Sequence, residues 1–486
     1  MKDESSAGSR IFLFWTIVLI LVISALGYNG LYGQDSYEYL RFTIRLADFL
    51  SEGISPGYYF WPVNYPLLGA LFSFICSAST ALQLLSVISA AWIVYLLCTF
   101  LFHEFPGREQ EIITYVILFL GLSPYFFRYA ISSMSDITAL SFACTAFFTL
   151  YKGCRFNRDG FIYASWFFVS MSVFTRFAFL PLLAPVIICS GWLMLKRFRF
   201  NYFIISFVTA LIPLFIYLYI KEDNASGIFH HYLVTDWSLL NYFRNSFVTE
   251  DGTNNFILPN LIFVFAFLVH PGFIFTGVFF LYVLFGKRPK PSFLFPVMIA
   301  GMILYLLFIA GIPSRNSRYL IPLLPFYVLI CFPAYLKTLS WLFGKRKMKI
   351  ILVISAFIVQ IILVAFALRP FLMMNRLEKS IAETIIDYHP EVIYTFGIDG
   401  AISSYGFQGK LINMWEKPVD TIVPGSLMLF NIQIYEKQWK GKNPMLNFQL
   451  LIDKGKALQI EELESGWKLY EIKKAYPDPD PGIPKQ

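Results

Sequence analysis

Charged residues are scarce in this chain. They make up 14% of its 486 residues, whereas hydrophobic residues make up 57%. A soluble domain carries about 25% charged residues. The apolar residues form long runs, and a run of roughly 20 is long enough to cross a bilayer. The composition therefore excludes a soluble globular protein and predicts a polytopic membrane protein in contact with the lipid bilayer.

Several common motifs are also missing. The sequence contains no P-loop and no GxGxxG, so neither a nucleotide-driven pump nor a Rossmann domain for a nucleotide sugar is indicated. Its six cysteines form no CxxC and no Cys/His ligand spacing, which argues against a disulfide framework and a zinc site. The net charge of +8 comes from short basic clusters between apolar runs. That pattern is typical of cytoplasmic loops, so we expect no nucleic-acid partner.

The apolar runs predict 11 membrane spans in an α-helical protein with the N-terminus in the cytoplasm. The runs are Ile11–Gly27, Ala81–Phe102, Ile112–Tyr125, Ile137–Tyr151, Phe161–Thr175, Phe177–Leu195, Tyr202–Ile220, Phe256–Phe285, Phe293–Ile312, Tyr319–Phe343 and Ile350–Leu368. The shorter run Pro66–Cys76 is expected to form an interfacial helix on the outer face.

The C-terminal region differs in composition from the rest of the chain. Short strand-like runs occur at Val392–Phe396, around Leu458 and Ile460, and at Trp467–Ile472. We therefore predict two domains, a transmembrane domain over residues 1–369 and a small α/β domain over residues 370–486. With 11 spans and a cytoplasmic start, the second domain lies outside the cytoplasm in a multi-pass protein of the cell (inner or plasma) membrane.

Three carboxylates in the predicted outer loops are candidate site residues. Asp35 and Glu38 are three apart, which places both on one face of a helix. The same spacing is also that of a helix-capping pair, so capping and catalysis stay open for these two residues. Asp136 stands where a span begins, where N-capping competes with a role in binding an acceptor or a metal, and Glu38 is the second candidate for that role.

Three arginines in the outer loops oppose the positive-inside trend. Arg176, Arg315 and Arg318 could each reach lipid headgroups singly, but together they suggest a site that clamps an anion. The guanidinium group presents a rigid fork of donors that suits a phosphate. Aromatic residues are abundant in the same loops, and Tyr37 and Tyr65 are candidates to line a substrate site.

The order of these motifs resembles that of the GT-C superfamily of membrane glycosyltransferases. The motifs are GQDSYEYL after the first span, WPVNYPLLGALF in the same loop, LSPYFFRYAISSMSDITAL, and SRNSRYLIPLLPF late in the chain. They look most like the branch that includes protein O-mannosyltransferases and lipid A aminoarabinose transferases. The resemblance implies an inverting transferase that uses a polyprenyl-phosphate-linked sugar.

By the same resemblance, Asp35 matches the catalytic aspartate of the first loop, Asp136 the acid of the second, and Arg318 the basic residue near the donor phosphate. Ser36 stands where many members have a second acid, so Glu38 is not assumed to replace it. The acceptor, whether lipid, glycan or protein, is not indicated, and a divalent metal is left open as a cofactor. The alternatives are a secondary transporter and a non-catalytic scaffold in cell-envelope assembly, although a transporter tends to show internal repeats.

Overall fold

The protein is described by a computed structural model that covers residues 2–197, 200–220, 232–268, 270–273, 277, 294–341, 346–415, 417–419 and 421–474. The chain divides into two compact units. The first contains residues up to Leu31, Phe42–Phe243 and Leu258–Pro370. The second contains Tyr32–Arg41, Arg244–Ile257 and the chain from Phe371 onward.

The first unit is helical. Its helices are α1 (Lys2–Leu26), most of α2 (Gly33–Glu52), α3 (Asn64–Ser73), α4 (Ala78–Glu104), α5 (Glu109–Val116), α6 (Pro124–Ala130), α7 (Ser135–Arg155), α8 (Asp159–Thr175), α9 (Leu180–Lys196), α10 (Phe200–Ile220), α11 (Tyr232–Thr235), α12 (Asn260–Phe263), α13 (Leu294–Gly311), α14 (Leu324–Trp341) and the first part of α15 (Arg346–Asp387). The 3-10 turn Ser317–Leu323 leads directly into α14.

Among the described residues, eight helical segments are long and apolar enough to cross a membrane. A ninth arises if α5, the π-helical turn Ile117–Gly121 and α6 count as one span, which bends by 77° at a break before α6. Pro124 occupies the start of α6, where the missing N–H of proline is tolerated. The chain is thus a multi-pass membrane protein.

The predicted and observed helices differ in two places. The predicted span Phe161–Thr175 forms α8, whose 17 residues are one fewer than those of the shortest of the eight segments. The predicted span Phe256–Phe285 is not a continuous helix where the structure describes it, because the part up to Phe273 contains only α12 and the 3-10 turn Ala266–Leu268. The Asn260 side chain there donates to the carbonyls of Ala310 and Ile312, at 3.1 and 2.7 Å. The rest of that predicted span lies largely outside the described residues.

The second unit contains a five-stranded sheet in the order β4-β3-β5-β7-β6. The strands are β3 (Val392–Thr395), β4 (Lys410–Asn413), β5 (Leu427–Phe430), β6 (Leu458–Glu462) and β7 (Lys468–Glu471), and β1 (Ser246–Thr249) and β2 (Gly252–Asn255) form a separate hairpin. Strand β3 runs parallel to β4 and β5, and β7 runs antiparallel to β5 and β6. These strands confirm the short α/β region expected after the last span.

Helices α16 (Asp399–Ser404), α17 (Ile432–Gln438) and α18 (Asn443–Asp453) complete the second unit. Buried aromatic and aliphatic side chains from α18, the strands and adjoining loops form its core, and partly buried side chains of α17 pack against it. Helix α15 has 42 residues and a length of about 63 Å at 1.5 Å per residue. One crossing of the hydrocarbon core needs only about 30 Å, so α15 is longer than a single crossing requires.

Candidate functional site

The first unit buries an ion pair at the start of α7. Asp136 lies in the first turn of α7, where its negative charge is favoured by the helix dipole, and its side chain is 2% exposed. The Arg176 guanidinium donates to its carboxylate at 3.0 Å and to the Ser135 hydroxyl at 3.4 Å. Met134 is the N-cap residue of α7, so Asp136 does not cap the helix. The pair neutralises both charges.

Arg176 holds this position because of a sharp turn between two helices. It follows α8 in an extended backbone conformation, and α9 begins after the short turn Phe177–Phe179. Its backbone N–H donates to the Ser172 carbonyl at 2.9 Å, which closes the last turn of α8. Arg176 thus lies at the junction of α8 and α9, between the predicted spans Phe161–Thr175 and Phe177–Leu195.

Two further arginines belong to the same region of the first unit. Arg128, on α6, donates to the Tyr129 hydroxyl at 3.1 Å and lies over the ring of Tyr125 at 4.9 Å. Arg128 on α6 and Arg318 in the 3-10 turn Ser317–Leu323 lie on elements that both pack against α7, whose first turn carries Asp136. We call Arg128, Arg176, Arg318 and Asp136 the arginine cluster. Its four side chains carry two more positive charges than negative ones, which suits an anion.

Arg315, the third predicted phosphate ligand, is engaged elsewhere in the first unit. Its Nε donates to the Asn260 side-chain oxygen, and its guanidinium lies 5.8 Å from the centre of the Phe263 ring. Burial lowers the pKa of Arg315 to about 10, which keeps the group charged at neutral pH. Its predicted role as a phosphate ligand stays a prediction.

Asp35 lies in the second unit, on the first turn of α2. The helix begins at Gly33, two residues before Asp35, so Asp35 is not its N-cap. The Ser36 hydroxyl accepts from the backbone N–H of Tyr32 at 2.6 Å and donates to the Tyr32 carbonyl at 2.8 Å, which closes the helix start. The half-buried Asp35 side chain is therefore presented by a fixed helical turn.

Glu38 and Tyr37 have well-defined partners in the second unit. Glu38 accepts from Arg41 one turn later, at 2.6 Å, in a half-buried ion pair. The Tyr37 hydroxyl donates to the Glu378 carboxylate at 3.0 Å. Burial, reinforced by the charge of Glu378, raises the pKa of Tyr37 well above its usual value. Tyr37 is therefore a neutral hydroxyl donor at every physiological pH.

Tyr65 is enclosed within the helices of the first unit. Its side chain is fully buried, and its hydroxyl donates to the Leu82 carbonyl at 3.0 Å and lies 3.0 Å from the Ser86 hydroxyl. These contacts join α3 to α4. They account for Tyr65 through packing, and its predicted contact with a substrate stays a prediction.

The candidate carboxylates do not form a cluster of metal ligands in the part of the chain that the structure describes. Within the described ranges, no three side chains among His, Cys, Asp and Glu converge. Asp136, one of the predicted metal ligands, is paired with Arg176, and Glu38, the other, is paired with Arg41. These carboxylates therefore do not fit a metal site in this arrangement.

The architecture is similar to that of solved membrane proteins. Two crystal structures of ArnT from Cupriavidus metallidurans, one bound to undecaprenyl phosphate and one in the apo state, match this chain with TM-scores of 0.57 and 0.56. This chain has the ArnT fold. Each match covers 94% of this chain and 97% or 98% of the ArnT chain, at 12% sequence identity. No protein-family model matches the sequence, and a search of curated proteins finds no match.

The comparison with ArnT agrees with the GT-C-like fold expected from the order of the sequence motifs. Two residues, Arg128 and Glu378, were not predicted from the sequence. Arg128 stands within SPYFFRYA. An arginine among aromatic residues beside a proline was the sequence feature that could have marked it as a site residue. Glu378 follows the last predicted span and contacts α2 across 341 positions of sequence, a distance that no local pattern encodes.

Proposed function

We propose that this chain is an integral membrane glycosyltransferase. In this proposal it transfers a sugar from a polyprenyl-phosphate-linked donor to an acceptor hydroxyl on the extracytoplasmic side, with inversion at the anomeric carbon. The observation that carries the proposal is the arginine cluster within a multi-pass unit of the ArnT fold.

The arginine cluster supports a phosphate ligand through its charge. With Asp136 paired to Arg176, the three arginines and one aspartate of the cluster keep an excess of positive charge, which favours an anionic ligand. Bidentate hydrogen bonds from arginine to phosphate are strong and directional, and surrounding protein of low dielectric strengthens them. One of the two ArnT structures was solved bound to undecaprenyl phosphate, and the shared fold favours a lipid-linked phosphate here.

The proposed reaction is a single displacement. The acceptor oxygen attacks the anomeric carbon from the face opposite the phosphate, a new C–O bond forms, and the bond from the sugar to the phosphate oxygen breaks. The acceptor proton passes to the Asp35 carboxylate, which acts as general base. The leaving group departs as the lipid phosphate, and Arg318 and Arg128 stabilise the negative charge that it gains.

A direct assay tests this proposal. The purified protein is incubated with a panel of polyprenyl-phosphate sugars and acceptors, and the release of lipid phosphate is measured. We expect release with at least one donor, and the same assay with EDTA tests for a divalent metal. A folded protein that releases no lipid phosphate with any donor and acceptor would contradict the proposed function.

The role of Asp35 is tested by Asp35→Asn, which keeps the size of the side chain and removes its basicity. We expect a fall in kcat of about 100-fold or more, in line with the loss of a general base. The matched control is Asp48→Asn, an exposed aspartate on the same helix, which should keep full activity. Near-normal activity of Asp35→Asn would remove Asp35 from this role.

A further inference from the structure

A buried carboxylate of the second unit binds the start of α2. Glu378, on the part of α15 that belongs to this unit, is 1% exposed. It accepts one hydrogen bond from the backbone N–H of Gly33, at 3.3 Å, and one from the Tyr37 hydroxyl, at 3.0 Å. Both donors belong to α2, so a single side chain is joined to this helix at two points.

The first of these bonds is one that a helix cannot make for itself. The first N–H groups of an α-helix have no partner within the helix, and a carboxylate there is also favoured by the helix dipole. Gly33 has φ +63°, a backbone conformation that a residue with a side chain adopts only with strain. Glu378 therefore caps α2 from a distant part of the chain.

A second contact holds the same turn of α2. The Gln34 side-chain amide donates to Asp399 at 3.3 Å, and Asn413 donates to the other oxygen of Asp399 at 3.1 Å. Gly400 allows this approach, because a Cβ at that position would lie 2.7 Å from the Cβ of Tyr37. Backbone and side-chain contacts thus fix the residues on both sides of Asp35.

These contacts lie at the part of the sheet that binds ligands in other α/β domains. Asp399 and Gly400 follow the carboxyl end of β3, the strand that lies between its two parallel neighbours β4 and β5. In open α/β sheets, such a strand order marks the crevice where ligands bind. In this unit the start of α2 contacts that loop instead.

We propose that Glu378 is a positioning residue that fixes the turn of α2 carrying Asp35 and thereby sets the rate of the transfer step. This inference rests on the proposed function, because it assigns the second unit a part in the same reaction. Misplacement of a reacting group by about 1 Å can lower a rate by about 100-fold. Removal of Glu378 should therefore lower kcat and leave the binding of the lipid donor by the arginine cluster unchanged.

The experiment compares Glu378→Ala with Glu378→Gln. The alanine variant removes both acceptors, whereas glutamine keeps the shape and an acceptor for the Gly33 N–H. We expect Glu378→Ala to lower kcat about 10- to 100-fold with the KM for the lipid donor within about twofold of wild type, and Glu378→Gln to recover most of the loss. The matched control is Glu383→Gln on the same helix, whose side chain is 59% exposed beside Lys379.

Hydrogen exchange over residues 33–41 gives a second readout. We expect these amides to exchange faster in Glu378→Ala than in wild type, and Tyr37→Phe to give a smaller effect because the bond to Gly33 remains. If Glu378→Ala does not fold, Tyr37→Phe and Glu378→Gln still test the inference. Faster exchange without a fall in kcat, or a rise in KM alone, would overturn it. A wild-type protein without transfer activity would instead refute the proposed function, and unchanged exchange would independently refute the positioning by Glu378.

Discussion

The buried pair of Asp136 and Arg176 yields the sharpest stability prediction. Their side chains are 2% and 15% exposed, and the charged atoms lie 3.0 Å apart. At an effective dielectric constant of about 20, a pair at this distance attracts with about 5 to 6 kcal/mol. The loss of solvation offsets much of that gain, but removal of one partner leaves the other charge buried. We therefore expect Asp136→Asn or Arg176→Met to lower the free energy of unfolding by about 3 to 5 kcal/mol.

The assay is unfolding of the purified protein by SDS in a mild detergent, followed through a double-mutant cycle. The double variant Asp136→Asn with Arg176→Met should lose less than the sum of the two single losses, by about 2 kcal/mol or more, because neither charge is left alone. Glu383→Gln serves as the exposed control, where loss of a surface pair changes stability by about 0 to 1 kcal/mol.

Two results would refute this reasoning. The first is a fall of less than about 1 kcal/mol in the free energy of unfolding for each single variant, because leaving a buried charge unpaired destabilises the fold by more than that. The second is strict additivity of the two losses. Transfer activity that stays absent in a double variant of restored stability would assign Asp136 or Arg176 a direct part in substrate binding.

Two further predictions concern the ligand and the membrane topology. Arg128→Met and Arg318→Met should each raise the KM for the lipid donor about tenfold or more, since a hydrogen bond to a charged group contributes about 1.5 to 3 kcal/mol. The Arg315 side chain binds Asn260, so Arg315→Met should have a smaller effect on this KM. Equal effects at all three positions would contradict the assignment of the arginine cluster. Alkaline phosphatase fused to the C-terminus should be active, because that enzyme folds only outside the cytoplasm; a fluorescent GFP fusion at the same point would place the second unit inside.

Much of the fold was predictable because membrane spans are local features. Each needs only an apolar run of sufficient length, and the spans from Ala81, Ile137 and Phe177 appear as α4, α7 and the segment that ends in α9. The short run Pro66–Cys76 appears largely as α3, and Arg176 lies at the junction of α8 and α9. The apolar run from Phe256 is the exception. Composition there predicted a span, but in the described part up to Phe273 the Asn260 side chain binds the carbonyls of Ala310 and Ile312, and the chain forms α12 and a 3-10 turn.

The candidate site was only partly predictable. Asp35, Asp136 and Arg318 stood out because acids and arginines are rare among apolar residues. Which residues pair was not predictable, since the pair of Asp136 with Arg176 spans 40 positions of sequence and the contact of Glu378 with Gly33 spans 345. No periodicity or spacing rule connects residues so far apart.

The sequence by itself determined that this protein crosses a membrane many times and ends in a small α/β region, because hydrophobic length and strand-like runs act locally. The tertiary structure decided which charges meet. The fold pairs Asp136 with Arg176 and brings Arg128 into the same cluster as Arg318. It also holds the turn that carries Asp35 through hydrogen bonds to the buried Glu378. A buried charge must find its partner wherever the fold brings one, and that choice depends on the packing of the whole chain.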